Sequence, residues 1–130
     1  TMPTDSLRRF RDIMKETEEY GFEKVRNEQQ ELGDKIRAML AAKGIKSVAA
    51  EGFQAPGVVV SFTDENGIQT GEKFAEIGFQ VAAGVPLQCD EPEDYQSFRL
   101  GLFGLDKLHN VGRTVEKIEG ALNQIIEKKK

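Results

Sequence analysis

Apolar residues recur at helical spacing through the opening stretch of this chain, with a single glycine in the middle of the run. Leu7, Phe10, Ile13, Met14 and Thr17 form a first stripe, and Phe22, Val25, Leu32, Ile36, Met39 and Leu40 form a second. Gly21 separates them, and Gly44 stands where a left-handed helix-ending residue belongs. The opposite face is dense in Glu, Arg, Lys and Gln. This pattern predicts one long helix, or two helices bent near Gly21, with Thr4 or Asp5 as N-cap. A helix of this kind needs a partner surface, and the rest of the chain must supply one.

The remainder reads as strands mixed with helices. Residues 45–49 are a short strand candidate, and residues 57–62 a better one, rich in β-branched side chains and bounded by Pro56 and Asp64. Asp64-Glu65-Asn66-Gly67 reads as a turn. Phe74, Ile77 and Val81 return to helical spacing over residues 70–82, with Gly84-Val85-Pro86 as the stop. Residues 87–89 are a second short strand candidate, and Glu91-Pro92-Glu93-Asp94 an exposed loop. A strand is expected over 98–102, then a turn at Gly104. Val111, Val115, Ile118, Leu122, Ile125 and Ile126 define a last amphipathic helix with Asn110 as N-cap. The fold class expected is α/β of the α+β type. It has a small, mainly antiparallel sheet covered on one face by helices and preceded by a long helix.

Composition limits the function. With 130 residues the chain can build one domain with a core. A net charge of -4 gives no reason to expect nucleic acid or an anionic membrane as partner. Lys128-Lys129-Lys130 is the one basic run, and it suits the negative end of the last helix. No apolar run approaches the ~20 residues of a membrane helix, and Thr1-Met2-Pro3-Thr4-Asp5 lacks the features of a signal peptide. A cytoplasmic protein is the expectation. Thr1 ahead of the first methionine suggests a chain that does not begin at a natural start. Cys89 excludes an internal disulfide, because it is the one cysteine.

Few residues are placed for chemistry. One Cys and one His, Cys89 and His109, cannot furnish a zinc site. Cys89 is expected as a small buried hydrophobe and His109 as a solvated residue. The acidic loop Asp90-Glu91-Pro92-Glu93-Asp94 lacks the glycine and spacing of a calcium loop, and no glycine run forms a phosphate-binding fingerprint. Arg99 remains. In a strand over 98–102, Phe98, Leu100 and Leu102 point to one face, and Arg99 and Gly101 to the other. A guanidinium beside a residue without a side chain makes a cradle for a small carboxylate. An arginine on an exposed sheet face is more often solvated or salt-bridged.

The segment Phe98-Arg99-Leu100-Gly101-Leu102-Phe103-Gly104 resembles the terminal motif of class V, fold-type I aminotransferases, the pyridoxal-phosphate (PLP) enzymes of the alanine–glyoxylate and serine–pyruvate group. Thr1-Met2-Pro3 with Leu7-Arg8-Arg9-Phe10 resembles that family's segment leading into its interdomain helix. Glu19-Tyr20-Gly21-Phe22-Glu23 resembles a step inside that helix. Gly84-Val85-Pro86-Leu87-Gln88-Cys89-Asp90-Glu91-Pro92 departs from the typical glyoxylate enzymes. The resemblance implies an interdomain helix over residues 1–21 and a C-terminal small domain over 22–130. It implies that Arg99 grips the substrate α-carboxylate with Gly101 beside it, and that Thr1 reaches the PLP phosphate. It further implies amino-acid and 2-oxo-acid substrates, a homodimer, and a catalytic lysine in a large domain upstream, so that the fragment alone is inactive. A stand-alone α/β module that binds a small acid or a protein partner is the alternative. An apolar face left uncovered on the first helix separates the two readings.

Overall fold

A computed structural model describes residues 1–128; of the terminal basic run, Lys129 and Lys130 lie outside the described residues. The opening pattern forms two helices, α1 (Thr4–Tyr20) and α2 (Phe22–Ala42). Gly21 joins them at φ 104°, a conformation that favours glycine. Helix α1 has no side-chain cap. Thr4 is its first residue rather than its cap, and Asp5 in the first turn complements the positive end of the dipole. Gly44 ends α2 at φ 77°, as its position in the pattern predicts.

Strand β1 (Val58–Phe62) follows, then the short helices α3 (Asn66–Gln69) and α4 (Glu72–Glu76). Next come strands β2 (Ala82–Ala83) and β3 (Ser97–Gly101), a short helix α5 (Leu105–Leu108) and the long α6 (Val111–Lys128). The sheet order is β1-β3-β2, antiparallel throughout. The architecture is therefore α+β, as expected. Asn110 caps α6: its Oδ1 accepts from the Arg113 amide at 3.0 Å.

Helices α2, α4 and α6 cover one face of the sheet. Leu32, Ile36 and Leu40 of α2 meet Phe74 of α4, Leu122 and Ile125 of α6, and Val59, Phe98 and Leu100 of the strands. Each such side chain contributes about 1.5–3 kcal/mol relative to an exposed one. Helix α1 takes no part, for none of its residues is buried.

Four expectations are corrected. The turn expected over 64–67 runs into α3, and the helix expected over 70–82 is one short helix, α4, followed by loop and the start of β2. Gly71 (φ 84°) and Gly78 (φ 81°) break it, and the apolar residues that mimicked one helical face, Phe74, Ile77 and Val81, reach the core from three different local conformations. The strand expected over 87–89 is a loop. Its amides point at the Glu91 carboxylate and Gln88 has φ 59°, so no ladder forms. The strand expected over 45–49 shrinks to one bridge, Ser47 opposite Ser61, on the outer edge of β1.

The segment before β1 is fastened to α2 by residues four apart. Gln29 Nε2 donates to the carbonyls of Pro56 and Leu102, each at 3.2 Å. Arg37 Nη2 donates to the Ala55 carbonyl at 2.6 Å. Between them Gly33 lets the chain pass: a Cβ there would stand 2.8 Å from the Pro56 carbonyl oxygen.

Candidate functional site

Strand β3 has the alternation that its sequence predicts. Phe98, Leu100 and Leu102 are 1%, 4% and 0% exposed, whereas Arg99 is half-buried and Gly101 exposed. Arg99 sits in the middle strand, opposite Val60 of β1 and Ala82 of β2. Its Nε donates to the Ala83 carbonyl at 2.9 Å. That bond aims the guanidinium along the β2 side of the sheet. It is the only hydrogen bond of the side chain among the described residues, and no carboxylate pairs with it. The two terminal nitrogens thus retain the paired donors that suit a carboxylate.

Gly101 follows Arg99 on the same face. A Cβ there would meet only the Phe103 ring, at 3.4 Å and 3.7 Å, so glycine leaves the space beside Arg99 open rather than relieving a clash. Gly101 also borders a cavity of about 230 Å³ with Lys107, Thr114 and Lys117, a cavity that Arg99 does not line. Lys107 Nζ donates to the Phe103 carbonyl at 3.1 Å. Thr1 is exposed ahead of α1 and lines neither this cavity nor the cleft next to β2.

That cleft, about 570 Å³, lies where Gly84 crosses over Ser97, two residues before Arg99. Ser97 shares the outward-facing side with Arg99 but is only 2% exposed, because the backbone of Gly84 covers it. The opposite wall is the segment 86–93, whose shape is set by one side chain. The Glu91 carboxylate accepts from the amides of Leu87 at 2.6 Å, Gln88 at 2.8 Å and Cys89 at 2.8 Å. These amides, those of Cys89 and Gln88 foremost, hold the carboxyl down at about 2. Cys89 is exposed, contrary to the expectation of a buried hydrophobe, since its amide serves Glu91 and its side chain is turned outward.

His109 is exposed, as expected, yet its ring stacks on Tyr20 with centroids 4.9 Å apart. Tyr20 donates to Glu28 at 2.5 Å, and that bond raises its phenol above the ordinary value. The Lys24 ammonium lies over the same ring. This cluster ties α1 to α2 across Gly21. Its signal in the sequence is Tyr20 eight residues before Glu28 across a glycine. Among the described residues no group of His, Cys, Asp and Glu could hold a metal ion, and no helix is long and apolar enough to cross a membrane.

No protein-family model matches the chain, and no curated protein matches it.

Proposed function

We propose that this chain is the C-terminal small domain of a class V PLP-dependent aminotransferase. In this reading Arg99 anchors the α-carboxylate of a small amino acid and of the 2-oxo acid that accepts its amino group. The observation that carries the reading is strand β3. The motif Phe98-Arg99-Leu100-Gly101 lies on a central strand, its apolar members are in the core, and the guanidinium emerges on the open face with its terminal nitrogens unengaged.

The arginine is fixed at its base and open at its tip, which is what a carboxylate anchor requires. A pre-oriented fork loses little freedom on binding. Gly101 keeps the approach clear, and motion of the whole small domain would carry the anchor toward or away from the reacting centre.

The cleft beside Arg99 has no lysine in its lining, and Lys107, next to the motif, is held by the Phe103 carbonyl. The Schiff-base lysine and the cofactor therefore belong, in this reading, to another domain of the enzyme, and Thr1 keeps only the role the resemblance implies.

Helix α1 supports the reading over a stand-alone module. Leu7, Phe10, Ile13 and Met14 are 48%, 63%, 50% and 54% exposed along one stripe. With Phe22 they present a surface on the order of several hundred Å², the size that marks an interaction site in a soluble protein. An interdomain helix needs such a face.

The test has two arms. The isolated chain is expected to form no borohydride-reducible adduct with PLP and to turn over no amino acid; an adduct or turnover refutes the fragment reading. In the enzyme that contains this domain, Arg99→Lys is expected to raise KM for the amino donor and lower kcat. Loss of one charge-assisted bond costs about 1.5–3 kcal/mol, or roughly 10- to 150-fold in kcat/KM. Unchanged kinetics refute the anchor.

A further inference from the structure

Arg37 lies far from strand β3 in role as well as in sequence. One terminal nitrogen, Nη2, donates to the Ala55 carbonyl and lies 3.4 Å from that of Val58. The other, Nη1, is buried and has no partner among the described residues. The hydroxyl of Ser47, on the segment bridged to β1, is in the same condition.

Both residues line one cavity of about 370 Å³ between the end of α2 and the edge of β1, with Lys46 and Gln54 beside them. Leu40 and Val59 contribute its apolar wall. The polar side chains, with Ser61 of β1 among them, are rich in donors: a guanidinium, an ammonium, two hydroxyls and a carboxamide. No carboxylate lines the cavity, although acidic residues outnumber basic ones in the chain, 22 to 18. The α2 carbonyls at this end are already engaged. That of Leu40 accepts from Lys43 and Ile45, and that of Ala41 from Gly44. A buried N–H without an acceptor is costly, and an oxyanion would satisfy Arg37 Nη1 and the Ser47 hydroxyl together.

We infer that this cavity binds a small oxyanion, the carboxylate or phosphate group of a metabolite, held by Arg37 Nη1 and Ser47 Oγ with Lys46 and Gln54 at its rim. The site is separate from Arg99 and does not depend on the aminotransferase reading.

The experiment titrates the 130-residue chain with sodium phosphate and, separately, with sodium acetate, at an ionic strength held constant with sodium chloride. Nitrogen-15 spectra follow the Arg37 Nε–H and the amides of Ser47 and Gln54. At least one anion is expected to give saturable shifts confined to these groups, and the arm that saturates tells phosphate from carboxylate. Ser47→Ala should weaken binding roughly 10-fold or more, the loss of one hydrogen bond to a charged group at about 1.5–3 kcal/mol. Lys46→Gln should weaken it as well, and Lys107→Gln, at another cavity, should leave it unchanged. Arg37→Lys should abolish it; if that variant does not fold, the Ser47 and Lys46 variants decide. Absence of saturation in both arms overturns the inference. So do shifts that the Ser47 and Lys46 variants leave intact, or that Lys107→Gln removes.

Discussion

Gly84→Ala tests how the candidate site is held in place. Gly84 lies directly on the backbone of Ser97, and a Cβ there would overlap the Ser97 carbonyl oxygen and stand 2.7 Å from its Oγ. No side-chain rotation relieves an overlap with backbone, so the chain at Gly84 must lift away from β3. Three hydrogen bonds are exposed to that movement. The Gly84 amide donates to the Gln69 carbonyl at 3.1 Å, Gln69 Nε2 donates back to the Gly84 carbonyl at 3.1 Å, and Arg99 Nε donates to Ala83 at 2.9 Å. At about 0.5–1.5 kcal/mol each, their loss amounts to roughly 2–4 kcal/mol, in the range of other overpacked sites. Urea unfolding reads this directly, and with a slope of about 2 kcal/mol/M, the middle of the usual range, the midpoint falls by about 1–2 M. Gly101→Ala is the matched control. Its Cβ meets only the Phe103 ring in ordinary contact, so its midpoint should stay within about 0.5 M of the parent. A Gly84→Ala midpoint as close to the parent as that of Gly101→Ala would refute the argument that this crossing holds Arg99.

Two further outcomes follow from the fold. The Glu91 carboxyl titrates at about 2 in the folded chain against an ordinary value near 4.5, so its contribution is fully present above 4.5 and is lost as pH falls toward 2. Amide shifts of Leu87, Gln88 and Cys89 should therefore move together below pH 4, and Glu91→Gln should remove that step; a transition centred near 4.5 would show that the carboxyl is not held by these amides. In the core, Leu122→Ala removes a side chain with no exposure and should cost about 2–5 kcal/mol in urea unfolding, whereas a loss below 1 kcal/mol would contradict the packing of α6 on the sheet.

What could be read in the sequence was what is decided within one element. The alternation of β3 follows from a period of two, and the burial of Phe98, Leu100 and Leu102 against the outward Arg99 and Gly101 needed nothing else. The break at Gly21, the stop at Gly44 and the Asn110 cap were likewise local. Residues 70–82 misled because Phe74, Ile77 and Val81 keep helical spacing while Gly71 and Gly78 turn the chain between them. There the demand of the core for apolar side chains prevailed over the continuity of the helix.

The same division runs through the sites. The direction in which Arg99 points is legible, but its anchor, the Ala83 carbonyl, lies sixteen residues earlier in a two-residue strand that the apolar spacing of 70–82 disguises as the end of a helix. In the sequence nothing sets Arg37 apart from the other charged residues of its helix. Its partners at Ala55 and Val58 are eighteen and twenty-one residues away, and only the close pass at Gly33 brings them to it. In both places the arginine is immobilised by a backbone carbonyl from a segment lacking regular periodicity, and a glycine lets a neighbouring segment approach. A glycine that admits another backbone, rather than the charged residue itself, is therefore the sequence signal that would have pointed to both. Gly84 next to Ser97 and Gly33 next to Pro56 are the two residues whose replacement should disturb each arginine without touching its charge.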